Sequence, residues 1–104
     1  MKHNPIVYFI QNTDTKNVKI GSTCDLNKRL SQLQIGNESK LELIGKLDYK
    51  YFYDPYDCDG KSEEASKHHC FRHLHIRGEW YKYKDELKEF IEDILPMIEE
   101  NGIY

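Results

Sequence analysis

The first clear pattern along the chain is an unbroken apolar run, Ile6-Val7-Tyr8-Phe9-Ile10, β-branched and aromatic throughout. Such a run reads as a strand. Gln11 to Asn17 is polar, rich in Asn, Asp and Thr, and leads into a second short strand, Val18 to Ile20. Two strands joined by a short polar segment predict an antiparallel hairpin. Gly21 turns the chain, and Leu26, Leu30 and Leu33 then fall at i, i+4 and i+7, which predicts a first helix over about Asp25 to Leu33. Ser22, Thr23 and Asp25 are all residue types that cap a helix start, and Gly36-Asn37 ends the helix.

Leu41 to Leu47 alternates well enough for a third, half-buried strand, with Gly45 as a candidate bulge. Tyr49 to Tyr53 extends this strand or turns outward, and Asp54 to Gly60 reads as a loop. A second helix is expected from near Ser62 to about Leu74, with Glu63 and Glu64 in its first turn where the helix dipole favours them. Gly78 breaks the chain again, and Glu79 to Tyr83 is short and extended. Leu87, Phe90, Ile91, Ile94 and Ile98 form a stripe of helical period over about Asp85 to Glu100, with Pro96 expected to kink or fray the last turn. The order β-β-α-β-α-α predicts an α+β fold, a small three-stranded antiparallel sheet flanked by helices. Residues 1–104 are expected to form one domain, with an acidic C-terminal helix over about 85–100.

Composition changes this picture little. A chain of 104 residues has room for one modest core. Hydrophobic content of 38% beside 32% charged residues argues against disorder. No apolar run approaches the roughly 20 residues of a membrane span, and no signal-peptide core is present, so an intracellular protein without membrane contact is expected. Three cysteines with no C-x-x-C pairing favour free thiols in a reducing compartment. The net charge of −3 is unevenly spread. Asp85, Glu86, Glu89, Glu92, Asp93, Glu99 and Glu100 face only Lys88 in the C-terminal segment, so the rest of the chain is net positive. Local field decides where a polyanion docks, and nucleic acid remains a candidate partner provided the acidic helix faces away from it.

The stretch from Lys19 to Arg29 has the character of a phosphate site. It sets cations beside a tight turn and a helix N-terminus, and Lys19, Ser22, Lys28 and Arg29 are the candidate nucleic-acid contacts. Taken one at a time, the neighbouring residues have plainer readings. Tyr8 is by default a core aromatic with its hydroxyl satisfied, Glu64 a charge at a helix start, and Phe71 and Trp80 core.

Their order along the chain says more. Tyr8 within Val7-Tyr8-Phe9, then Lys19-Ile20-Gly21, then Arg29 on the following helix, resembles the GIY-YIG nuclease superfamily. Glu64, His68 and Phe71 on the next helix, followed by Gly78-Glu79-Trp80-Tyr81, resemble the branch known as the T5orf172 domain, over about Ile6 to Tyr81. The resemblance implies metal-dependent hydrolysis of phosphodiester bonds by a DNA endonuclease. By that resemblance Glu64 holds one divalent cation, Mg²⁺ or Mn²⁺, Arg29 holds the scissile phosphate, and Tyr8 orients or deprotonates the attacking water. Lys19 stands where the superfamily has its second signature tyrosine. It could favour the Tyr8 phenolate or bind phosphate directly. His68, one turn after Glu64 on the same helix face, could shuttle a proton or donate to phosphate. The general base is thus open among Tyr8, a Lys19-assisted Tyr8, and His68.

Other readings compete. A module of the same fold could bind nucleic acid without cutting it. Cys58, His68, His69, Cys70, His73 and His75 could include a Zn²⁺ site in an interaction protein, although their spacing fits no finger pattern. Tyr49, Tyr51, Tyr53 and Tyr56 with Lys50 and Lys61 could stack a nucleic-acid strand; a half-buried aromatic loop is the plainer account. The expected partner is DNA, with RNA as the alternative. So minimal a domain is expected to have low sequence specificity, or to gain it from a homodimer or a targeting partner.

Overall fold

The computed structural model describes residues 4–101, with side chains described as far as Leu95. The hairpin forms as β1 (Ile6–Asn12) and β2 (Val18–Thr23), paired antiparallel from Ile6↔Thr23 to Gln11↔Val18. Asn12 Oδ1 accepts from the backbone N–H groups of Asp14 and Thr15, which folds the connecting turn. Helix α1 (Leu26–Ile35) follows, and of the three candidate caps it is Asp25 that accepts the Lys28 N–H, at 3.1 Å. Strand β3 (Leu41–Asp48) runs antiparallel to the other side of β1. Its register shifts where Phe9 faces Gly45 and Ile10 faces Leu43, so the bulge falls beside Gly45.

Helix α2 (Lys61–Cys70) is shorter than the sequence pattern suggests, because a 3₁₀ turn takes over at Arg72–Leu74. Two more strands come next, β4 (His75–Arg77) and β5 (Trp80–Tyr81), before helix α3 (Asp85–Asn101). The sheet therefore has five strands, ordered β3-β1-β2-β5-β4, and not the three expected. Strands of three and two residues are too short to show the alternation by which strands are recognised, and β4 is exposed along its whole length. No helix among the described residues is long and apolar enough to cross a membrane.

Alternation along β1 and β2 divides the core. Val7, Phe9, Val18 and Ile20 meet Leu87, Ile91 and Ile94 of α3 on one face of the sheet. Ile6, Tyr8 and Ile10 meet Leu26, Leu30 and Leu33 of α1 on the other. Period 2 in the strands and period 3.6 in the helices thus build two layers of helix around one sheet. Gly45 lets α3 come close: a Cβ there would lie 3.1 Å from Ile94 Cδ1. Ile98, the last residue of the expected stripe, and the effect of Pro96 on its own turn lie outside the described side chains. The described acids of α3 sit across the sheet from the α1 face.

Candidate active site

Tyr8 is buried on the α1 face, and its ring lies over Gly21 of the neighbouring strand. A Cβ at Gly21 would stand 2.9 Å from Tyr8 Cε1 and closer still to the hydroxyl end of the ring. Gly21 is therefore not the turn the sequence suggests. It lies within β2, and its missing side chain is the space through which the phenol reaches across the strand. Arg29, half-buried on α1, approaches the phenol oxygen. Burial pushes the Tyr8 pKa up to about 12; the Arg29 charge opposes this, and Glu79 and Glu64 add to it. Tyr8, Arg29, Glu64 and Glu79 thus share one electrostatic neighbourhood, drawn from β1, α1, α2 and the β4–β5 turn.

Glu64 is placed by α2, which packs along β2. Gly60, with φ of +80°, precedes the helix, and a Cβ there would lie 3.0 Å from Ser22 Cβ, so only glycine lets the helix start approach the strand this closely. The buried Glu64 carboxylate accepts from Ser22 Oγ at 2.6 Å through Oε1. Lys61 Nζ stands 3.6 Å from the same oxygen, and His68 Nε2 stands 3.5 Å from Oε2. One carboxylate with an oxygen not taken by a close hydrogen bond fits a hard cation that keeps most of its waters. Glu64 is thus the residue that could hold Mg²⁺ or Mn²⁺, as a single carboxylate among waters.

Two of the neighbouring residues are engaged within the protein. Ser22, a candidate nucleic-acid contact, is 4% exposed, and its hydroxyl is spent on Glu64. The reason is strand alternation, which turns Ser22 inward toward α2. Lys19 pairs with Glu79 at 3.2 Å and lies 5.6 Å from the Trp80 ring centroid. It is Arg29, not Lys19, that opposes the upward shift of Tyr8, and the phenol stays protonated at neutral pH. Glu79 faces the site through its pair with Lys19 and acts on Tyr8. Lys28 is exposed beside Arg29 along a groove with Thr23 and Gln32.

His68 Nε2 lies 2.9 Å from the Ile20 carbonyl oxygen. A carbonyl can only accept, so Nε2 carries the hydrogen and Nδ1 is the nitrogen with a free lone pair in the neutral ring. His68 thereby ties α2 to β2 near the point where β5 stops pairing.

The zinc reading does not survive. His73 Nε2 pairs with Glu86 at 2.6 Å, His75 Nε2 meets the Gly78 carbonyl oxygen at 2.8 Å, and Cys58 and Cys70 are exposed. Among the described residues no three His, Cys, Asp or Glu side chains gather as a metal site. Tyr49, Tyr51, Tyr53 and Tyr56 are exposed, so the aromatic loop is more open than the half-buried loop expected. The tyrosine loop is anchored through Glu63, which accepts from the Tyr53 N–H and pairs with Lys67.

The family model of the T5orf172 domain matches residues 5–95. No curated protein and no solved structure matches the chain.

Proposed function

From the premise that the chain belongs to the T5orf172 domain family, a nuclease-related branch of GIY-YIG-like proteins, we propose that it is a metal-dependent DNA endonuclease. The observation that carries this reading is the common neighbourhood of Tyr8, Arg29 and Glu64, three residues from three separate elements. Glu64 would hold a divalent cation, which when bound would supply Lewis-acid polarisation of a phosphate and offset charge on the leaving oxygen. Arg29 holds the scissile phosphate through its planar guanidinium. Tyr8 enters as a phenol, not a phenolate, so it orients the attacking water by hydrogen bonding. His68 offers only Nδ1 as a base, since Nε2 donates to Ile20. Ser22 fixes the Glu64 carboxylate, and Lys19 balances Glu79.

The test is nicking of supercoiled plasmid with Mg²⁺ or Mn²⁺. Wild type should nick, and Glu64→Ala and Arg29→Ala should not. Equal cutting by wild type and Glu64→Ala rejects the proposal. A second reading, a DNA-binding module without cleavage, is favoured by one observation: the Tyr8 pKa near 12 leaves the phenol poorly suited to act as a base. It predicts binding that weakens with salt and no nicking with either cation.

A further inference from the structure

The surface carries a groove of about 310 Å³ between the β1–β2 turn and the β4–β5 turn. Asn12, Asn17, Asn37, Arg77 and Trp80 contribute to its walls. Two of the carboxamides are set in advance. Asn12 Oδ1 accepts from Asp14 N at 2.9 Å and Thr15 N at 3.1 Å, and Asn37 Oδ1 accepts from Ser39 N at 3.0 Å. A backbone N–H can only donate, so these contacts fix which end of each amide is oxygen. The amino ends of Asn12 and Asn37 remain as donors. Arg77 is exposed and makes no ion pair among the described residues. Among the described residues no carboxylate lines the groove. A wall of amide and guanidinium donors without an acid suits a ligand that is anionic and rich in acceptors.

Trp80 links the groove to the candidate active site. Trp80 lines the groove and also lies under Lys19, whose partner Glu79 acts on Tyr8. We infer that the groove holds the DNA strand flanking the scissile phosphate, with Arg77 on a phosphate and the two asparagine amino groups on phosphate oxygens or base acceptor edges. This rests on the nuclease reading of the neighbouring site. It also gives the isolated chain a surface of its own for the flank, without a separate targeting partner.

The experiment is binding of a short fluorescein-labelled DNA duplex without divalent cation, across a salt series, run beside plasmid nicking. Arg77→Ala should weaken binding about tenfold and flatten the dependence of log K on log salt by about 1. Arg77→Lys should recover the salt dependence. Asn12→Asp and Asn37→Asp keep the oxygen that accepts from the turn but replace the amino donors. They should melt like wild type and bind several-fold more weakly. Binding by Arg77→Ala and Asn37→Asp as tight as wild type, with nicking intact, overturns the groove assignment alone. Absence of DNA binding by wild type also overturns it. Weakened binding by the variants, with no nicking by wild type under either cation, upholds the groove and rejects hydrolysis at the neighbouring site.

Discussion

The phenol of Tyr8 occupies the space that a side chain at Gly21 would fill. The two residues face each other across β1 and β2, so the position of the tyrosine depends on the neighbouring strand lacking a Cβ. The same contact explains why the Tyr8 pKa rises. A ring laid over backbone is shielded from water, and ionisation there costs more than it would at the surface.

Gly21→Ala should therefore damage both stability and cutting. The new methyl cannot coexist with the ring, and an overpacked core site costs about 1–3 kcal/mol. The test is a double-mutant cycle in urea. In a Tyr8→Ala background the clash is gone, and Gly21→Ala should cost much less. Equal costs in the two backgrounds would show that the tyrosine is not what excludes a side chain at Gly21.

The raised Tyr8 pKa also sets an alkaline limit. The folded state binds this proton more tightly than the unfolded chain, whose tyrosines ionise near pH 10. The associated stability is present below about pH 10 and is lost as pH rises through about 12. A shift of that size corresponds to roughly 2–3 kcal/mol. Tyr8→Phe should show a shallower alkaline decline in urea-derived stability than wild type, although Tyr81 and Tyr83 are also shifted upward, chiefly by burial, and keep part of the slope. Superimposable alkaline limbs would mean that Tyr8 is not shielded as described.

How much of this was legible in the sequence depends on the distance over which each feature is set. Local features were readable: the apolar run of β1, the leucine spacing of α1, a cap among Ser22, Thr23 and Asp25, and the bulge beside Gly45 all rest on a few adjacent residues. Tyr8, Arg29 and Glu64 were singled out as candidates because their order along the chain resembles a known pattern, and no periodicity would have done so. What was missed is long-range. Ser22 looked like a surface contact because its role depends on Glu64, 42 residues later. Lys19 looked like a free cation because Glu79 is brought to it only when β5 pairs with β2. A useful signal was present in Ser22 itself, which falls on the same strand face as the buried Val18 and Ile20.

Ser22→Ala separates holding the carboxylate from touching DNA. The loss of a hydrogen bond to a buried charge should cost about 1–3 kcal/mol. Nicking should fall because Glu64 is no longer fixed, whereas DNA binding measured without divalent cation should be unchanged. Weaker binding under those conditions would return Ser22 to the role of a nucleic-acid contact.

Lys19 provides the remaining test, because its ion pair with Glu79 predicts a specific rescue. With Lys19→Ala, Glu79 is left uncompensated near Tyr8 and near any phosphate held by Arg29. Stability should change by under about 1 kcal/mol, since the pair is partly open to solvent. The Tyr8 pKa should hold, because Lys19 does not act on it, and nicking should weaken through repulsion of the phosphate. Adding Glu79→Gln removes the stranded charge, so the double variant should recover nicking and lower the phenol pKa, as read from tyrosine ring-carbon NMR shifts. If Lys19 instead contacted the phosphate directly, Glu79→Gln would lower the pKa but not restore the cutting. The two roles therefore give opposite results in the nicking assay of the double variant.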